Sequence, residues 1–150
     1  MESESPSFSE VPGEHEEVSG PRVLLVDDDK ETCVLLRSFL EQDGIEVLGV
    51  ALDGLGAASM VGQLEPDVVV MDQRMPGMDG LHATRKIKAD HPDVEVILLT
   101  FEADPEELPG IEETGAFDLL VKGCPPWMIS DGVRRAWHHK RGGQLPAAGK

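Results

Sequence analysis

Four apolar runs in this chain each stop at a residue able to do chemistry. Asp27, Asp28 and Asp29 follow Val23–Val26, Asp72 follows Val68–Met71, Thr100 follows Val94–Leu99, and Lys122 follows Leu119–Val121. A carboxylate at the end of a buried strand is costly unless something pairs with it. If the runs are parallel strands of one sheet, their polar ends share one edge. Asp27, Asp28 and Asp72 would then crowd negative charge into one pocket, which repels itself unless a cation is present. Carboxylate, carbonyl and water oxygens are hard ligands that suit Mg2+. Lys122 adds an ammonium and Thr100 a hydroxyl. A metal, an ammonium and a hydroxyl around one carboxylate are suited to neutralising a phosphoryl group. Asp72 is the central carboxylate, expected to accept that group as an aspartyl phosphate.

The elements that must position these residues follow from the hydrophobic pattern. Val68–Met71 is an unbroken, β-branched run of the kind that fills a parallel strand covered on both faces. Similar runs occur at Val23–Val26, Ile45–Leu52, Val94–Leu99 and Leu119–Val121. Segments with helical spacing or caps alternate with them, which predicts βαβ units and a parallel sheet. Helices are expected from about Lys30 to Gln42, Leu55 to Leu64, Leu81 to Asp90 and Pro126 to Lys140. A further one is expected to start at Asp104-Pro105 and to be short, kinked or displaced, because Pro109 falls inside it. Asp29 and Asp79 read as helix caps.

The chain has 150 residues and a net charge of −16. That balance argues against a basic face for nucleic acid and against docking on an anionic membrane. No run approaches the roughly 20 apolar residues of a membrane span. Residues 1–20 contain six Glu and no Lys or Arg, with no periodic apolar face, so this stretch reads as a disordered acidic tail rather than a secretory signal. Residues 21–141 form the expected domain and 142–150 a short tail. Cys33 and Cys124 have neither zinc spacing nor a C-x-x-C arrangement, which predicts reduced, inert thiols and a cytoplasmic location. Trp127 and Trp137 are expected to pack. His138 and His139 are expected to be exposed, and Arg134, Arg135, Lys140 and Arg141 to form a solvated helix end.

Together, LLVDDD, VVVMDQRMPGMDG, LLT and LLVKG resemble the receiver domain of two-component response regulators, of the CheY-like stand-alone kind. The resemblance spans residues 21–141. It implies an α/β, flavodoxin-like, doubly wound fold: a five-stranded parallel sheet in order 2-1-3-4-5 with five helices. It implies transfer from a phosphohistidine, on a sensor histidine kinase or a histidine phosphotransfer protein, to Asp72. Asp27 and Asp28 become the acidic pair holding Mg2+, and the Arg74 backbone carbonyl a further ligand. Thr100 becomes the hydroxyl that moves toward the phosphoryl group, and Lys122 its charge partner. A downstream protein target is implied, with no direct nucleic-acid contact or membrane insertion, and with homodimerisation left open. The protein would not be an enzyme beyond handling its own phosphoryl group.

Several positions depart from the family pattern, among them Arg74, two residues past the acceptor, and Pro109 in the fourth expected helix. The switch position three residues before the lysine is often aromatic and is Leu119 here. The residue after the hydroxyl is usually small and is Phe101 here. The lysine is commonly followed by proline and is followed here by Gly123, so the Lys122–Gly123 bond is expected to be trans. Leu119 and Phe101, with Pro109 in the fourth expected helix, favour a rival reading as a degenerate receiver that binds proteins without being phosphorylated; the intact acid pocket opposes it. A third reading, an aspartate-nucleophile phosphatase, normally carries an acid two residues past the nucleophile, where Arg74 stands.

Overall fold

A computed structural model describes residues 20–75, 77–101 and 112–142. The expected tails, and the helix expected from Asp104 with its Pro109, lie outside the described residues. Five strands, β1 (Arg22–Val26), β2 (Glu46–Ala51), β3 (Val68–Asp72), β4 (Glu95–Thr100) and β5 (Asp118–Val121), form one parallel sheet in the order β2-β1-β3-β4-β5. Among the described residues four helices accompany them: α1 (Lys30–Gln42), α2 (Gly54–Leu64) and α3 (Gly80–Asp90) between strands and α4 (Pro126–Lys140) after β5, with a 3-10 turn at Glu112–Thr114 before β5. The expected doubly wound fold and strand order are borne out.

Strand alternation divides the core in two. Leu24, Val26, Val69, Met71, Val96 and Leu98 face α2 and α3, meeting Ala57, Val61, Ala83 and Ile87. Val23, Leu25, Val68, Val70, Ile97 and Leu99 face α1 and α4, meeting Leu40, Ile129, Val133 and Ala136. Each fully buried Val, Leu or Ile stabilises the fold by roughly 1.5–3 kcal/mol, before its ordering entropy. This two-sided burial explains why β3 is apolar without interruption until Asp72.

Three aspartates start helices. Asp29, Asp53 and Asp79 each accept a hydrogen bond from a first-turn N–H: that of Glu31, Gly56 and His82, respectively. Asp29 also takes the Thr32 hydroxyl at 2.8 Å, the main cause of its lowered pKa. α4 has no side-chain cap and begins instead with Pro126, whose fixed φ suits a first turn.

The basic end of α4 is less solvated than its composition suggests. Arg134 pairs with Asp43 at 3.0 Å, Lys140 with Asp67 at 3.3 Å, and His139 Nδ1 with Glu95 at 2.7 Å. Glu95 is buried and also lies 3.5 Å from Lys88. His138 and His139 are exposed, as expected, yet His139 still reaches Glu95, because a buried carboxylate at the start of β4 needs a partner. Trp137 packs as expected. Trp127 is 61% exposed, because it sits in the first turn of α4 on the side away from the sheet.

Candidate functional site

The order β2-β1-β3 means that the chain leaves β1 toward one edge of the sheet and returns on its other side as β3. Open α/β sheets form a crevice at such a reversal, beyond the carboxyl ends of the strands. Asp27 lies one residue past β1 and Asp72 is the last residue of β3; both are buried. Thr100 ends β4, and Lys122 follows β5. The four strand ends expected to share one edge do so.

Local hydrogen bonds hold each acid. Asp27 Oδ1 accepts the Asp29 N–H at 2.9 Å, and the Asp27 carbonyl accepts the Cys33 thiol at 3.5 Å. Both contacts tie the end of β1 to α1. Asp72 Oδ1 accepts the Arg74 N–H at 3.4 Å. Oxygens of Asp27, Asp28 and Asp72 lie within 4.8 Å of one another. Asp28 is the exposed member, on the solvent side of the pocket.

Lys122 reaches into this cluster from β5. Its Nζ is 2.9 Å from Asp72 Oδ2 and 3.1 Å from Asp27 Oδ2. The second contact is an ion pair without hydrogen-bond alignment, so Asp27 Oδ2 is a buried oxygen with no hydrogen-bond donor. Burial pushes the Asp27 carboxyl above its ordinary pKa, outweighing the Asp29 amide and the Lys122 ammonium that oppose it. Burial alone would lower the Lys122 pKa, but the neighbouring Asp72 and Asp27 carboxylates turn the net shift upward. Three carboxylates against one ammonium leave the pocket negative when all are ionised. With its all-oxygen donors and its orphaned Asp27 Oδ2, it fits a hard divalent cation.

Residues 23–134 match the response regulator receiver domain. The chain belongs to that family. The receiver is 40% identical over 116 residues to the transcriptional regulatory protein LiaR of Bacillus subtilis, covering 77% of this chain and 55% of LiaR. It is 40% identical over 105 residues to the response regulator GacA of Pseudomonas viridiflava, covering 69% and 49%. The solved receiver domain of the Francisella response regulator 1452 superposes with a TM-score of 0.73 at 27% identity, covering 80% of this chain and 98% of that one. This chain spans about half the length of the curated relatives it matches, which lends no support to the expected stand-alone arrangement.

Three of the positions expected to depart from the family pattern lie around this site. Leu119, where the family resemblance puts the switch position, is half-buried and packs against the core on the α2 and α3 side. Phe101 is 68% exposed, yet the Lys122 Nζ lies 5.5 Å from its ring centroid, within the range of a cation–π contact. The Lys122–Gly123 peptide is trans, as expected, and Gly123 has φ +95°.

Gln73 is the residue that sequence reasoning missed. It is buried, and its side-chain oxygen lies 3.5 Å from the Thr100 hydroxyl. The available signal was a polar residue two positions after Met71, on the face that alternation assigns to the core.

Proposed function

We propose that this receiver takes a phosphoryl group on Asp72 from a phosphohistidine and passes the signal on through protein contacts, as a cytoplasmic element of a two-component or phosphorelay pathway. The carrying observation is the placement of Asp72: buried at the end of the central strand, with Lys122 on one oxygen and two further carboxylates within 4.8 Å.

An Asp72 carboxylate oxygen attacks phosphorus and the phosphorus–nitrogen bond of the donor breaks. The histidine nitrogen leaves with the electron pair. Asp27, Asp28 and Asp72 would hold Mg2+, with the Arg74 carbonyl as a further ligand, and the ion would offset the charge on the carboxylates and the phosphoryl oxygens. Lys122 keeps one ammonium beside the acceptor throughout, and Thr100 supplies a hydroxyl for a phosphoryl oxygen. The partners this reading requires are a sensor histidine kinase or phosphotransfer protein upstream and a protein target downstream.

A second reading, a receiver that binds its target without phosphorylation, is favoured by Leu119 at the switch position and by Phe101 beside Lys122. The two separate on transfer from a phosphohistidine-bearing domain carrying a radiolabelled phosphoryl group. Label that moves to the wild-type chain and not to Asp72→Asn supports the phosphoacceptor. No transfer from any donor, with the fold intact, supports the constitutive binder.

A further inference from the structure

Among the described residues, Gln73 is a buried side chain beside the acceptor that the proposed chemistry leaves without a task. We infer that Gln73 is a positioning residue for the Thr100 hydroxyl, holding it on the α2 and α3 side of the sheet until a phosphoryl group on Asp72 draws it away. This inference rests on the phosphoacceptor reading and assigns a new residue to that site.

Alternation places both residues on one face. Met71 and Leu98 belong to the core cluster under α2 and α3. Gln73 and Thr100 each lie two residues further along, pointing the same way. Gln73 is 8% exposed and Thr100 1%. A buried amide and a buried hydroxyl are each costly unless hydrogen-bonded, and these two meet at 3.5 Å.

The Gln73 backbone is clamped. Its N–H donates to the Leu99 carbonyl at 2.8 Å, and its carbonyl accepts the Gly80 N–H at 2.8 Å. A side chain at position 80 would begin 2.8 Å from Gln73 Cα and 2.7 Å from the Asp72 carbonyl oxygen. Glycine therefore lets α3 start directly against the end of β3, and Gln73 cannot shift without moving that helix. The Thr100 backbone carbonyl is likewise held by the Lys122 N–H, but its hydroxyl turns about one bond. The amide is thus the fixed part and the hydroxyl the movable one.

The contact is long for a hydroxyl donor, whose bonds centre near 2.7–2.8 Å. Giving it up for a charged phosphoryl oxygen, which makes shorter and stronger bonds, favours the phosphorylated arrangement. Leu119, at the family's switch position, has no polar group to offer the hydroxyl. Gln73 supplies a polar contact from the neighbouring strand instead.

The test is a double-mutant cycle read by affinity for beryllium fluoride with Mg2+, a phosphoryl mimic. Gln73→Met keeps the length of the side chain and removes the amide. It is expected to tighten binding about threefold to tenfold, the range of one net hydrogen bond. In a Thr100→Val background the same change is expected to leave affinity unmoved, because there is no hydroxyl to release. Equal effects in both backgrounds, or no effect in either, would overturn the inference.

Should Gln73→Met not fold, the side-chain NH2 resonances of Gln73 in the wild-type chain provide the readout. They are expected to shift on adding beryllium fluoride, and resonances that stay in place overturn the inference. A wild-type chain that binds no beryllium fluoride overturns the phosphoacceptor reading itself, a separate result.

Discussion

Lys122 Nζ and Asp72 Oδ2 lie 2.9 Å apart across 50 residues of sequence, joining the end of the edge strand β5 to the end of the central strand β3. The same ammonium lies 3.1 Å from Asp27. One partly buried cation therefore partners two buried acids, and its removal strands both.

Lys122→Met is expected to destabilise the fold by about 3 kcal/mol, near the low end for breaking a buried ion pair, since Lys122 keeps some water contact. Adding Asp27→Asn to that variant should recover part of the loss, because one uncompensated charge disappears. Urea unfolding of the two variants checks both. A single variant as stable as wild type, or a double variant no better than the single, contradicts the electrostatic account.

Mg2+ is expected to raise the melting temperature of the wild-type chain, since a ligand held only by the folded state stabilises it by mass action. Asp27→Ala should abolish the shift and Asp28→Ala should weaken it, the second acid being the exposed one. Calorimetric scans with and without Mg2+ read this directly. An equal Mg2+ shift in Asp27→Ala would remove Asp27 from the ligand set.

Phe101 is expected to affect how long a phosphoryl group on Asp72 would last. A cation–π contact at an exposed site contributes about 0.5–1 kcal/mol, and the Phe101 ring lies 5.5 Å from the ammonium. Phe101→Ala should speed loss of the phosphoryl group about twofold to fivefold, by removing that contact and opening the site to water, whereas Phe101→Trp should slow it or leave it unchanged. The decay of phosphorylated protein over time checks this. Identical decay in Phe101→Ala and wild type contradicts it.

Burial, aided by Asp27 and Asp29, pushes the Cys33 thiol from its usual 9.0 up to about 11. Between those values the folded chain holds a proton that the unfolded chain has lost. Stability from this group is therefore complete below pH 9 and falls as pH rises toward 11, by about 3 kcal/mol in all. Unfolding of wild type and Cys33→Ala should diverge in slope over that window, with the variant falling less. The thiol should also resist alkylation at neutral pH. Parallel slopes, or rapid labelling at pH 7, contradict the assignment.

Much of this was legible in the sequence. Each strand is an apolar run, and Asp29 and Asp79 cap helices where their types suggested. The acids, the hydroxyl and the lysine that end the strands meet at one edge, as a parallel sheet requires. The strand order came from the family resemblance rather than from periodicity. What stayed hidden depends on partners far apart in the chain. His139 finds Glu95 across 44 residues and Arg134 finds Asp43 across 91. Neither pairing leaves a local pattern. Gln73 was passed over because its contact with Thr100 lies 27 residues away in sequence, on the neighbouring strand.

The central claim is that Asp72 is a working phosphoacceptor. Intact mass after incubation with acetyl phosphate, with and without Mg2+, on wild type and Asp72→Asn, tests it most directly. The account predicts a Mg2+-dependent gain of one phosphoryl group, about 80 Da, in wild type and none in Asp72→Asn, consistent with one nucleophilic carboxylate. No gain in wild type under any condition, together with no binding of beryllium fluoride, would contradict it.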